Sequence, residues 1–361
     1  MIDFRYHLVS LISVFLALAV GIVLGAGPLK EAIGDTLSGE VESLRTRAAD
    51  LRTELDGTQA DLALSEEAFA VVAPDLLDGV LPDRRVAVLT VGDVAPSVIE
   101  GVTERLEQAG ADVTARVQVT DAWTDPSRRS YRQSLAGTLV EYLDPVPEPS
   151  AGTPVELAEA LAQSLSTADP ADPDALATEA QVVLGLLTDA GLVAVDGEVT
   201  LPADGFVVLA EPAEIEEPVA DGQPEPVDPD VLAHAEAVVE TTLQVSAAAQ
   251  VRSFGAVVAS GEVVDGGVFD RLRDTGRTPR VSTVESVETV RGQVSTALAL
   301  SARMGGTVGH YGASSGATAL VPPRVVLQVI DRTPAEPPEG LGGEGTGIEP
   351  GTEQTTTEDG T

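Results

Sequence analysis

Residues 82–119 read PDRRVAVLTVGDVAPSVIEGVTERLEQAGADVTARVQV, and this stretch decides the fold. Val86, Ala87, Val88, Leu89, Thr90 and Val91 form an unbroken apolar run, the pattern of a strand buried on both faces. Gly92 and Asp93 turn the chain. Ser97 is placed to cap a helix running to Gln108, with Val98, Val102, Leu106 and Ala109 as its buried stripe and Gly110 as its stop. Residues 113–119 alternate as a second strand. Strand, helix and strand make a β-α-β unit, which strand twist makes parallel and right-handed.

The alternation continues downstream. Helical patterns are expected at 127–143, 155–166, 175–190, near 231–242, in a run ending near Arg273, and at 289–304; strands at 192–195, 206–210, 256–259, 281–284 and 325–330. Two Pro-rich breaks interrupt them, DPVPEPSAGTP at 144–154 and an acidic loop at 211–229. The reading is a layered, mostly parallel α/β domain over residues 82–333, followed by a disordered acidic tail at 334–361 that lacks any basic residue.

Upstream lies a different solvent. Residues 8–27, LVSLISVFLALAVGIVLGAG, carry no charge and would form a helix of about 30 Å, the thickness of the hydrocarbon core. The membrane anchor is therefore set at residues 1–30. Arg5 precedes the run and the acidic bulk follows it, which puts the N-terminus inside and the domain outside the cell membrane as a single-pass protein. A cleaved signal peptide ending at Ala17-Leu18-Ala19 is the competing reading, although the apolar run continues through Leu24. Ala17, Gly21 and Gly25 recur every four residues, a small-residue stripe that lets two helices approach closely in lipid.

Over residues 31–72, Leu37, Val41, Leu44, Ala48, Leu51, Leu55, Thr58 and Leu62 keep a 4-3 spacing. That spacing is a coiled-coil seam with Leu37, Leu44 and Leu51 at d positions, and it predicts a stalk that forms a homodimer. An amphipathic helix folded back on the domain is the alternative.

Composition excludes several functions. The chain carries a formal net charge of −37, so its surface repels nucleic acid and anionic headgroups. No cysteine is present, which removes disulfides, thiolate catalysis and thiolate metal ligands. Histidines number three, and the signatures H-E-x-x-H, Walker A and G-x-G-x-x-G are absent, so the chain is not expected to be an enzyme. The turn after Val91 has one glycine, a poor phosphate cradle, although it lies where open α/β sheets bind ligands.

One segment stands apart, MGGTVGHYG at 304–312. Gly305, Gly306, Gly309 and Gly312 imply tight turns that hold His310 and Tyr311 side by side. As a metal loop it would offer the His310 imidazole with Met304 as a soft partner, and a dimer would double those donors. As a structural turn, its His and Tyr would bond locally. His234, at helical spacing in an acidic, Ala-rich run, reads as a solvated face.

Residues 1–27, MIDFRYHLVSLISVFLALAVGIVLGAG, resemble the start of the mycobacterial copper transporter family (MctB type, copper transport outer membrane protein), and GGTVGHYGASSG at 305–316 resembles that family's C-terminal glycine-histidine-tyrosine motif. The order of stalk, β-α-β unit and Pro-rich breaks is also similar, over about residues 1–330. The resemblance implies an actinobacterial envelope protein linked to copper efflux or tolerance and described as pore-forming in the outer membrane, with copper as the candidate ligand. Three roles follow: a copper-homeostasis envelope protein; a dimeric single-span scaffold for other envelope proteins; or a small-molecule sensor or enzyme using the turn after Val91.

Overall fold

The computed structural model of the protein describes residues 4–211, 219–220, 223–224, 228–261, 263, 267–274 and 281–333, with side chains for all of these except 24–38, 219–220 and 223–224. The expected acidic tail, and most of the loop at 211–229, lie outside the described residues. The chain divides into two units, Met1–Phe69 and Ala70–Thr361.

The first unit is helical. Helix α1 spans Phe4–Leu77, and its described side chains up to residue 65 are exposed. Within it Phe4–Val23 has a mean hydropathy of 2.3 over 20 residues, long and apolar enough to cross a membrane. Thr46, Thr53 and Thr58 return their hydroxyls to the carbonyls of Glu42, Ala49 and Glu54, sharing acceptors of the intrahelical ladder and leaving no hydroxyl unbonded.

The second unit is an α/β domain. Its sheet contains β1 (Arg84–Val91), β2 (Ala111–Val119), β3 (Val193–Val195), β4 (Gly205–Ala210), β5 (Gly255–Ala259), β6 (Ser282–Val284) and β7 (His310–Tyr311). The order is β7-β6-β5-β4-β1-β2-β3, with every pair parallel except β2 with β3. The chain leaves β1 toward β2 on one side and returns to β4 on the other, which makes a topological switch point between β1 and β4.

Helices α2 (Pro96–Gln108) and α8 (Val290–Met304) pack together on one face. On the other lie α3 (Arg129–Leu139), α4 (Thr153–Ser166), α5 (Thr178–Asp189) and α6 (Pro229–Arg252), with α7 (Val268–Asp274) against α6. The larger core fills this second face, where Leu89, Val117, Phe206 and Val258 meet Leu157, Leu161 and Val245. Both faces of β1 and β4 are covered, which explains why their sequences are continuously apolar.

Several local expectations change. Ser97 does not cap α2; Ala95 holds the cap position without a side-chain bond, and Pro96 begins the helix because its missing N–H costs nothing there. Residues 175–176 belong to a short antiparallel hairpin, Ala168–Asp169 with Asp172–Leu176, rather than to α5. Residues 325–330 are no strand: Val326 and Val329 are 91% and 89% exposed, and no ladder pairs with them. Arginines hold that segment instead, with Arg84 donating to the Gln328 carbonyl and Arg332 to that of Asp83. The last strand of the sheet is formed by His310–Tyr311, which pairs with β6.

Candidate functional site

The glycine-histidine-tyrosine segment builds the last strand of the sheet and a buried ion pair at its end. Thr283 pairs with His310 and Val284 with Tyr311. Successive strand residues face opposite sides, so the imidazole and phenol are not side by side as the turn reading expected. Tyr311 is buried and its hydroxyl fills the space a side chain at Gly309 would need. His310 is half-buried, and its Nδ1 shares a hydrogen bond of 2.9 Å with the Thr283 hydroxyl. Burial, with help from the Arg273 charge, lowers the His310 pKa below 6.5 and favours neutral imidazole; burial raises that of Tyr311.

Beyond Tyr311 the chain turns over Glu285, a carboxylate only 5% exposed. Gly312 has φ +155°, and a Cβ there would overlap that carboxylate. Glu285 accepts from Arg273 at 2.9 Å, from the Ser314 amide at 3.0 Å and from the Ser314 hydroxyl. Burial is the largest influence on its pKa and pushes it up, yet the Ser314 bonds and Arg273 together outweigh it and hold the group below its ordinary value. Gly305 packs against Val325, and Gly306 turns the chain at φ +91°. Arg273 and Glu285 carried no sequence signal, since lone charged residues in an acidic chain do not announce a partner.

Met304 lies elsewhere. Its terminal methyl occupies the space above Gly205, and its Cγ sits against Gly255, at the starts of β4 and β5. His310 is on β7, two strands beyond β5, which separates the thioether and imidazole by roughly 10 Å of sheet. Among the described residues no group of three or more His, Asp or Glu is placed to hold a metal. Among the described residues, His310 and Met304 do not meet within one chain.

At the switch point the occupant is the protein's own carboxylate. The Asp93 amide donates to Glu211 Oε2 at 3.0 Å, and a Cβ on Gly92, at φ +80°, would lie 2.7 Å from the Glu211 Cβ. His234 is exposed, as a solvated helix face should be, but its Nε2 stands 3.7 Å from the same Glu211 oxygen. Where related folds present free amides to a phosphate, this one presents Glu211 and Asp93, and two carboxylates repel that ligand. Beside it, α2 and the uncovered face of β2 and β3 border a groove of about 890 Å³, whose wall includes Glu100, Glu104, Glu107, Asp196 and Arg116. Arg116 is spent on Asp196 at 2.6 Å, so the groove too is acidic.

The residues proposed for helix pairing lie on α1. Ala17 and Gly21 are exposed, with open space around Gly21, and Leu44 and Leu51 are 61% and 65% exposed. The side chains of Gly25 and Leu37 lie outside the described residues.

Comparison with known proteins gives consistent matches. A "Copper transporter MctB" of Mycobacterium tuberculosis (strain H37Rv) is 25% identical over 330 residues, covering 88% of this chain and 98% of its own length. That of Mycobacterium leprae is 26% identical over 336 residues, covering 90% and 100%. The family described as copper transport outer membrane protein, MctB, matches residues 1–322. The match takes in α1, the whole parallel sheet and the glycine-histidine-tyrosine strand, and the chain belongs to the MctB family.

Proposed function

We propose that this protein serves copper homeostasis at the cell envelope, supporting efflux of or tolerance to copper. The observation that carries this reading is the match to copper transporters along nearly the whole length of both chains. The α1 span supports a single pass with the N-terminus inside and the α/β domain outside, because Arg5 is the flanking cation and the domain is strongly acidic. The described sheet is open, with β3 and β7 as edges, so it encloses no channel by itself. Copper is the cargo, and the chain acts on it through an assembly, either with its own copy or with other envelope proteins.

Deleting the gene should lower the copper concentration that halts growth, with the full chain restoring it. Unchanged tolerance in the deletion strain sinks the proposal. A dimeric scaffold without transport activity is the second reading, favoured by the exposed leucines of α1. In-cell crosslinking that captured neither a second copy nor an envelope partner would remove it.

A further inference from the structure

We propose that the cavity between α3, α4 and α6 binds a small organic anion, a carboxylate or phosphate carried on a flat apolar body. The cavity measures about 620 Å³, within the range that takes a metabolite rather than a macromolecule. It lies beyond the C-terminal end of β2, where the chain passes from Val119 into the short 3-10 turn Asp121–Trp123, and α/β folds place ligands at this edge of the sheet.

Its walls divide by chemistry. Trp123, Leu157, Pro154 and Ala237 supply apolar surface, and Trp123 is only 4% exposed. Arg129 and Arg132 supply charge. In a chain with 58 acids and 21 basic residues, a lining with two arginines and one acid is against the trend and needs a cause. Arg132 is held by the backbone of the same turn, donating to the carbonyls of Ala122 at 3.0 Å and Asp125 at 2.6 Å. Carbonyls fix its direction, while the Asp125 carboxylate offsets part of its charge and the charges of Arg128 and Arg129 oppose it. Arg129 is exposed, and its side chain has no hydrogen bond or ion pair among the described residues. The neighbouring Arg128 is otherwise engaged, bonded to the Ala190 carbonyl and stacked 5.2 Å above the Tyr131 ring.

One further feature agrees. The single acid, Glu240, accepts from Gln244 at 2.6 Å, which engages one of its oxygens away from any ligand. A preoriented arginine and an exposed arginine line the same cavity as an indole, the groups that recognition of an oxyanion on an aromatic or similarly flat body requires.

Trp123 is the protein's sole tryptophan, so its emission reports on this cavity alone. The full chain in detergent would be titrated with phenyl phosphate and with benzoate, and with benzylamine as the cationic counterpart. At least one anion should shift the emission saturably, benzylamine should not, and Arg129→Glu should weaken the anion by about tenfold or more. Arg129 is exposed and unpaired, so the variant should keep the wild-type circular dichroism and thermal midpoint. No saturable shift with either anion up to about 10 mM, equal binding of benzylamine, or equal affinity in Arg129→Glu would each overturn the proposal. The test involves no copper, so its result is independent of the role in copper homeostasis.

Discussion

Met304 lies over Gly205 and Gly255, and its contacts are those of a packing residue. Gly205→Ala would press a methyl against the Met304 methyl and within 3.1 Å of the Gly255 carbonyl, costing about 1–3 kcal/mol in chemical denaturation. Met304→Leu preserves volume and should cost less than about 1.5 kcal/mol while leaving copper tolerance intact. Lost tolerance in a stable Met304→Leu protein would show that the sulfur itself matters. Glu285 gives a prediction in pH. Its folded pKa lies below the ordinary 4.5, so its ionised form stabilises the fold above that pH, and the contribution fades as pH falls through the lowered folded value. The stability difference between wild type and Glu285→Gln should therefore stay constant above 4.5 and shrink below it. A difference that grew with acid would assign the ion pair the wrong sign. Of these residues, His310, Met304 and the glycines were legible in the sequence as unusual letters. Arg273, Glu285 and Glu211 were not, because their meaning depends on chain segments that only folding brings together.

Among the elements, α1 carries the sharpest expectation. Its leucines keep coiled-coil spacing and are exposed in the single chain, so a second copy is the partner whose seam matches by construction. Replacing Gly21 and Gly25 with Leu, together with Leu44→Asp and Leu51→Asp, should convert a dimer to a monomer in sedimentation measurements. An aspartate at a seam position forfeits apolar burial and must be desolvated. A dimer that survived all four changes would place the interface elsewhere. The strands and helices of the α/β domain were largely readable from periodicity, since β1 and β4 are continuously apolar and α2 and α8 keep a helical stripe. Two expectations changed. Helix α6 runs to Arg252, past the expected end near Thr242, and burial against the sheet outweighs the weak helix propensity of Thr241 and Thr242. Residues 325–330 have strand composition yet pair with no described strand, and Arg84 holds them through the Gln328 carbonyl.

At the scale of the molecule, charge and membrane dominate. A net charge of −37 makes the fold repel itself, and raising salt from about 10 to 150 mM shortens the screening length from about 30 to 8 Å. The thermal midpoint of the detergent-solubilised chain should rise across that range; a fall would mean that attractive ion pairs outweigh the self-repulsion. The apolar start of α1 is long enough to remain as an anchor, so intact mass of membrane-extracted protein should retain residues 1–30. A new N-terminus at Val20 would refute it.

Taken alone, the order of residues determined the anchor-length helix, the α/β class, the resemblance at both ends of the chain and the absence of cysteine. Each is a local or compositional property: an uncharged run matches a hydrocarbon thickness, and a period of 2 or 3.6 selects a strand or a helix. The tertiary structure decided what those letters do together. It set His310 and Tyr311 on opposite faces of an edge strand, moved Met304 two strands away from His310, closed Glu285 against Arg273, and put Glu211 into the switch point. These outcomes depend on strand order and on which side chain reaches a given space first, and such contacts between segments distant in the chain leave no period to read.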